Sequence, residues 1–207
     1  MAIVTPPRSA GGVRLVLASS SVYRRALLER LGVPFTCHAP AIDERAVAAE
    51  SPTALVRRLG LAKARALATT YPHHLIVASD QIAVCAGLIV GKPGDREPAI
   101  AQLAAAAGGT VRFLTSVCVF DSSNGRCEVD VVPCDVVFRA LTAAQIAAYV
   151  DREQPFDCAG SFKAERLGIA LCERIEGHDP TALIGLPLIT LVSMLARAGC
   201  DVLAALP

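Results

Sequence analysis

The chain has 207 residues, of which 53% are hydrophobic, so it is long enough and apolar enough to bury a sizeable core. Lysine and arginine (20) nearly balance aspartate and glutamate (19), which argues against nucleic acid or an anionic membrane surface as the main partner. The longest apolar runs are too short or too broken to span a bilayer. Residues 1–12 contain two prolines and two glycines and are predicted to be a disordered leader before a single domain at 13–207.

The first half of the chain alternates predicted strands and helices. Apolar periodicity and turn residues predict strands at 13–18, 35–39 and 75–79, helices at 22–31 and 52–71, and a hairpin at 82–90. Ser51 followed by Pro52 is a favourable start for the second helix. The hairpin is expected to turn at Ala86-Gly87.

The second half contains two long strands between helices. Strands are predicted at 110–120 and 129–138 around an Asn124-Gly125 turn, helices at 98–107, 142–150 and 188–198, and a strand or hairpin arm at 167–175. Thr142 and Gln145 form a capping box for the middle helix. Because several strand pairs are hairpins, the sheet is predicted to be mixed rather than parallel.

A serine-rich turn follows the first strand and is the strongest local signal. Ser19, Ser20 and Ser21 precede a helix that carries Arg24 and Arg25 in its first turn. Ser21 is a favourable N-cap, and a helix N-terminus next to a guanidinium binds anions such as phosphate. We therefore predict a phosphate site here, although no Walker A loop is present.

Four further polar residues interrupt the apolar pattern. Asp80 is predicted at the carboxyl end of a buried strand, where it could bind a metal, act as a base or simply form a turn. Glu44 lies in a predicted loop, and such an acid is more often only solvated. Lys92, in a Gly-Lys-Pro turn, and Lys63, on a basic helix face, could bind phosphate or face solvent.

The cysteines and histidines do not form a metal-binding pattern. Eight cysteines occur at irregular spacing without C-x-x-C, mostly in apolar segments, which favours reduced core thiols in a cytoplasmic protein. The four histidines also lack ligand spacing, so a structural zinc site is not expected.

The ordered motifs resemble those of the Maf family of nucleoside triphosphate pyrophosphatases, over essentially everything after Gly12. The matching segments are Leu17-Ala18-Ser19-Ser20-Ser21-Val22-Tyr23-Arg24-Arg25, Asp43-Glu44, Lys63-Ala64, Ser79-Asp80-Gln81, Lys92-Pro93, Ala159-Gly160-Ser161-Phe162-Lys163-Ala164-Glu165 and Ile184-Gly185-Leu186-Pro187-Leu188. The resemblance implies an α/β fold of the Maf/ITPase-like type, with a mixed, twisted sheet flanked by helices and two lobes around a central cleft. It also allows a homodimer.

The resemblance further implies cleavage of the α–β phosphoanhydride of a nucleotide, with release of pyrophosphate. It assigns the phosphates to Ser19, Arg24, Lys63 and Lys92, catalysis to Asp80 as proton acceptor together with Lys92, and a divalent cation of the Mg²⁺ or Mn²⁺ type to Glu44 and Asp80. Whether Asp80 is mainly ligand or base stays open.

The late motifs are most similar to the branch of the family that removes the modified nucleotide 7-methyl-GTP. In that branch Tyr23, Gln81 and Glu165 hold the base-specificity positions, although Trp is frequent where this chain has Tyr23. Two alternatives remain: a dTTP/UTP pyrophosphatase of the same fold, and a nucleotide-binding regulator of septum formation without catalysis. Retention of Glu44 and Asp80 favours an enzyme, and Gln81 with Glu165 argues against the dTTP/UTP branch.

Overall fold

The computed structural model describes residues 13–204, so the predicted leader at 1–12 lies outside the described residues. Within that range the chain forms seven strands and five α-helices. The strands are β1 (Leu15–Leu17), β2 (Phe35–Cys37), β3 (Leu75–Cys85), β4 (Leu88–Val90), β5 (Thr110–Asp121), β6 (Cys127–Phe138) and β7 (Cys172–Glu176). The helices are α1 (Val22–Glu29), α2 (Pro52–Ala66), α3 (Arg96–Ala106), α4 (Ala143–Glu153) and α5 (Leu188–Arg197). No helix in the described range is long and apolar enough to cross a membrane.

All seven strands belong to one mixed sheet, in agreement with the prediction. The order is β2-β1-β3-β5-β6-β7, and β4 pairs with β3 outside this path. The pairs β1–β2 and β1–β3 are parallel, whereas β3–β5, β5–β6 and β6–β7 are antiparallel. The parallel pairs adjoin α1 and α2, and the antiparallel pairs β3–β4 and β5–β6 are the two hairpins that the turn residues predicted.

One edge of β3 is shared by two short strands, and a gap separates them. On this edge β1 pairs with residues 75–77 and β4 pairs with residues 83–85. Residues 78–82 have no strand partner there in the described part of the chain, whereas β5 covers the opposite edge along the whole of β3. The gap leaves the middle of a buried strand open on one side, and Asp80 and Gln81 lie within it.

Separate hydrophobic clusters fill the two ends of the sheet. One cluster joins α1 and α5 to β1 and contains Leu17, Leu28 and Leu191. Another packs α3 and α4 against the antiparallel hairpins and contains Leu103 and Phe138. The sheet therefore connects two lobes, with the gap in β3 between them.

The predicted strand at 75–79 is too short, and this changes the position of Asp80. The strand continues to Cys85, so Asp80 lies in its middle and pairs with Ser116 of β5 instead of ending the strand. Polar residues on β5 make the extension possible, because the Asp80 backbone N–H donates to Ser116 Oγ at 3.0 Å. The helix predicted at 52–71 is also shorter and ends at Ala66.

Local capping explains where the helices begin. Ser21 and Ser51 accept hydrogen bonds from Arg24 N and Ala54 N, and both are N-caps as predicted. The capping box at Thr142 and Gln145 is also present. These caps fix the direction in which each helix leaves the sheet.

A glycine allows α2 to lie unusually close to the sheet. A Cβ added to Gly60 would come within 2.4 Å of Ser116 Oγ on β5, so no larger residue fits without movement. Lys63 follows one turn later on the same face of α2. The close approach at Gly60 therefore brings Lys63 over the middle of β3.

The cysteines are free thiols, but only half of them belong to the core. Cys118, Cys134, Cys172 and Cys200 are buried, whereas Cys37 and Cys127 are exposed. The prediction of core thiols is wrong for the two exposed residues, because both lie on partly exposed strands.

Candidate active site

The turn between β1 and α1 presents hydroxyl and guanidinium groups at one place. Ser21 N donates to Ser19 Oγ at 3.1 Å, which folds the turn back on itself. Arg24 Nε donates to the carbonyl of Gly185 at 2.9 Å, so this arginine is fixed across the cleft floor. Burial lowers the pKa of Arg24, and the neighbouring carboxylates of Asp80 and Glu44 oppose that change. The guanidinium therefore lies close to both acids.

Lys63 lies between the two acids that the sequence singled out. Its Nζ contacts Asp80 Oδ1 and is 2.9 Å from Glu44 Oε1. Lys63 and Asp80 are both buried, whereas the Glu44 side chain is 59% exposed. The hydrogen bond from Lys63 lowers the pKa of Glu44, with smaller contributions from Lys92 and Arg24. Three cations thus act on Glu44, and two of them, Lys63 and Arg24, also lie near Asp80.

Alternation along β3 directs its polar side chains to opposite faces. Asp80 points toward Lys63 of α2, whereas Ser79 and Gln81 point toward the loop at 179–185. The Ser79 hydroxyl donates to Gly185 O at 2.7 Å. One strand segment therefore contributes to both sides of the cleft.

Tyr23 and Glu165 lie together at the other end of the cleft. Burial raises the pKa of Tyr23 to about 12, and Cys158, Asp157 and Glu165 add to the increase. Its hydroxyl therefore stays neutral. Partial desolvation in the cleft also raises the pKa of Glu165, although this side chain is open to solvent.

The loop at 179–185 fixes several site residues through its backbone carbonyls, which accept from Arg24, Ser79 and Gln81. The sequence motifs covered only the last two residues of this loop. Buried Asp179 accepts from Thr181 N and Oγ1 through one oxygen and from Ile189 N and Thr190 N, at the start of α5, through the other. Gly185 has a φ of 122°, and a Cβ there would meet Arg24 Nε at 3.5 Å. The Asp179-Pro180 pair was the available sequence signal, because Asp-Pro favours turns.

A single cleft of about 660 Å³ unites the predicted site residues. Its lining includes Ser19, Tyr23, Arg24, Glu44, Lys63, Asp80, Gln81, Lys92 and Glu165. Lys92 reaches the cleft from the exposed turn just after β4. The structure therefore places these nine residues on one concave surface, with Glu44, Asp80 and the basic groups at one end and Glu165 at the other.

Two carboxylates suit a hard divalent cation. Glu44 and Asp80 both contact one ammonium group, so their oxygens face a common point. Among residues 13–204 there is no group of three His, Cys, Asp or Glu side chains that could hold a metal. A cation at this pair would need its remaining ligands from phosphate and water, which is how Mg²⁺ usually binds beside a substrate.

Comparison with known proteins identifies similar chains. The family profile described as "Maf-like protein" matches residues 14–198. A protein of Pseudomonas savastanoi pv. phaseolicola named 7-methyl-GTP pyrophosphatase is 56% identical over 188 residues, which cover 91% of this chain and 98% of that protein. A protein of the same name from Chromohalobacter salexigens is 55% identical, with 91% and 97% coverage. Another, from Pseudomonas fluorescens, is 54% identical, with 90% and 97% coverage.

Proposed function

This chain belongs to the Maf family, and from that premise we propose that it hydrolyses the α–β phosphoanhydride of 7-methyl-GTP. The products are 7-methyl-GMP and pyrophosphate. The similar proteins that carry this name are 52–56% identical and extend over almost the whole domain.

The observation that carries the proposal is that one cleft has two chemically different ends. One end combines Arg24, Lys63 and Lys92 with the carboxylates of Glu44 and Asp80. The other end combines an aromatic ring, Tyr23, with an acid, Glu165. A nucleoside triphosphate has the same division, with concentrated negative charge at one end and a flat base at the other.

The cationic end suits the triphosphate. Arg24 and Lys92 bind phosphate oxygens through charge-assisted hydrogen bonds, and the Ser19 hydroxyl adds a neutral donor. These interactions strengthen as charge moves onto the leaving pyrophosphate, so they contribute to the rate as well as to binding.

Asp80 accepts the proton of the attacking water at a carboxylate oxygen. Glu44 and Asp80 would hold a divalent cation, which would supply charge neutralisation at the phosphates. Lys63 keeps the Asp80 oxygen in a fixed place through their direct contact. Both side chains are buried, so little of either is in contact with bulk water.

The base end suits a cationic ring. Methylation at N7 gives guanine a delocalised positive charge, which the face of Tyr23 attracts by ~0.5–2 kcal/mol. The carboxylate of Glu165 favours the same charge and accepts hydrogen bonds from the base edge. Neutral guanine, thymine and uracil lack the charge that both groups recognise.

The test is a nucleotide panel with the purified protein. Pyrophosphate release is measured with 7-methyl-GTP, GTP, dTTP and UTP, each with Mg²⁺, with Mn²⁺ and with a chelator. We expect 7-methyl-GTP to give the highest kcat/KM and the chelator to abolish turnover. Tyr23→Ala should reduce the preference over GTP roughly 2- to 30-fold, as expected for a cation–π contact, whereas Tyr23→Phe keeps the ring and the preference. A preference for dTTP or UTP would contradict the proposal.

A further inference from the structure

The side-chain amide of Gln81 is held by three acceptors. Its Nε2 donates to Thr115 Oγ1 at 2.9 Å, to the carbonyl of Ala182 at 2.9 Å and to the carbonyl of Leu183 at 3.0 Å. An amide nitrogen has two hydrogens, so three acceptors use its full donor capacity. The Gln81 nitrogen therefore has no hydrogen left for a ligand.

This arrangement fixes which end of the amide faces the cleft. Backbone carbonyls only accept hydrogen bonds, so the nitrogen rather than the oxygen must face Ala182 and Leu183. Gln81 lines the cleft and is only partly buried. No donor among the described residues contacts its Oε1. The atom that Gln81 offers to a bound base is accordingly an acceptor.

Thr115 connects Gln81 to the loop that holds it. Its hydroxyl accepts from Gln81 and donates to Ala182 O at 2.9 Å, so one oxygen connects strand β3 to the loop at 179–185. Thr115 is fully buried and does not line the cleft. It therefore acts on a ligand only through Gln81.

We propose that Thr115 is a positioning residue for base recognition: together with the Ala182 and Leu183 carbonyls, its hydroxyl holds the Gln81 amide so that the oxygen alone faces the base; this inference rests on the proposed function. With the carboxylate of Glu165, the cleft then offers two acceptors to one base edge. Guanine carries two neighbouring donors on that edge, the N1–H and the exocyclic amine, whereas thymine and uracil carry one. The two acceptors select guanine over thymine and uracil by its hydrogen-bond donors. The positive charge added by methylation contributes to base recognition separately.

The experiment compares two substrates that differ by a single amine. 7-Methyl-ITP lacks the exocyclic amine of 7-methyl-GTP but keeps the cationic ring and the triphosphate. We expect the wild-type protein to favour 7-methyl-GTP, mainly through a lower KM. Thr115→Val keeps the side-chain shape but removes the hydroxyl, and should narrow the ratio of the two kcat/KM values roughly two- to tenfold, as expected for one hydrogen bond. Thr115→Ser keeps the hydroxyl and should restore the wild-type ratio.

The ratio of the kcat/KM values for 7-methyl-GTP and 7-methyl-ITP distinguishes a positioning role of Thr115 from a general loss of stability. A variant that is merely destabilised loses activity toward both substrates equally, because they differ only at the base edge. Wild-type discrimination in Thr115→Val would overturn the proposal, and Thr115→Ala provides the same comparison if the valine variant does not fold. A wild-type protein that prefers dTTP or UTP would instead contradict the proposed function. Preference for 7-methyl-GTP over dTTP and UTP, with an unchanged ratio in Thr115→Val and Thr115→Ala, would contradict the positioning role alone.

Discussion

The ammonium group of Lys63 lies 2.9 Å from Glu44 Oε1, and the same ammonium contacts Asp80 Oδ1. One lysine thus joins an exposed loop acid to a buried acid within the sheet. The arrangement gathers two negative charges beside phosphate-binding cations without leaving either acid unpaired.

Asp80→Asn keeps the shape of the side chain but removes its charge. Loss of a catalytic base typically costs ~10²–10⁴-fold in rate, so we expect kcat for 7-methyl-GTP to fall by that order or more. The fold should be retained, because the Asp80 backbone bond to Ser116 does not involve the carboxylate. Steady-state kinetics measure the loss of kcat, and circular dichroism checks that the fold is retained. Near wild-type turnover would show that the active site has been assigned wrongly.

Glu44 should contribute to stability in a pH-dependent way. Its pKa is lowered from an ordinary value of 4.5, chiefly by the hydrogen bond from Lys63. A lowered carboxyl pKa stabilises the folded state above the ordinary value, and this contribution is lost as the pH falls through the folded pKa. The melting temperature of the wild type should therefore exceed that of Glu44→Gln near neutral pH, with the difference disappearing in acid.

Thermal melts between pH 7 and pH 3, without divalent cations, measure this difference. The effect should be small because Glu44 is largely exposed. Glu97→Gln is a matched control, since Glu97 pairs with Arg96 outside the cleft. A difference for Glu44→Gln that grew toward acid pH would reverse the expected sign.

The adjacent arginines 24 and 25 should differ sharply. Arg24 is fixed to Gly185 and lines the cleft, whereas Arg25 is exposed and pairs with Glu29 one turn along α1. Arg24→Ala should raise KM and lower kcat, because the guanidinium meets charge that is present in the substrate and grows in the transition state. Arg25→Ala should leave both constants within about twofold, since an exposed ion pair contributes little. Equal losses in the two variants would contradict this geometry.

Much of the fold was predictable because its signals are local. The serine cap at Ser21, the capping box at Thr142 and the Asn124-Gly125 turn act over a few residues, and each lies where the sequence predicted. Asp80 was misplaced because polar residues after an apolar run resemble a strand end. The strand continues because Thr115 and Ser116, on a strand distant in sequence, provide polar partners.

The sequence predicted which residues line the cleft but not how those residues contact one another. Ordered motifs identified the residues that line it, but they did not predict that Lys63 contacts both acids or that Gln81 uses every donor it has. Such contacts depend on how α2 and the loop at 179–185 pack against β3. The close approach of α2 to β5 at Gly60 is one example of such packing.

Gly60→Ala should destabilise the protein although alanine favours helices. In an exposed helix interior this change stabilises by roughly 1 kcal/mol. Here the new Cβ would lie 2.4 Å from Ser116 Oγ, and overpacking typically costs about 1–3 kcal/mol. Moving α2 outward would also draw Lys63 from Asp80, so kcat should fall along with the melting temperature. Denaturant unfolding and kinetics measure both effects, and a stabilised, fully active variant would show that the contact is not restrictive.

Glu165→Gln should raise the stability of the protein and weaken its preference for 7-methyl-GTP over GTP. Desolvation in the cleft raises the pKa of Glu165 above its ordinary value of 4.5, so the ionised carboxylate is unfavourable in the folded protein. The amide is uncharged, so the variant should melt at a higher temperature near neutral pH. It also lacks the negative charge that favours a cationic base. We therefore expect the kcat/KM ratio of 7-methyl-GTP to GTP to fall roughly 10- to 150-fold, as expected for a hydrogen bond to a charged group.

The control is to measure the melting temperature and the substrate preference of the wild type and of Glu165→Gln as a function of pH. Because the folded pKa is raised, the wild type loses the unfavourable charge as the pH falls through that pKa, and its melting temperature should approach that of Glu165→Gln in acid. Its preference for 7-methyl-GTP should weaken over the same range, since a protonated carboxyl no longer favours the cationic ring. The variant has no such group and should show neither change. A selectivity ratio that fell equally with pH in both proteins would assign the effect to another group.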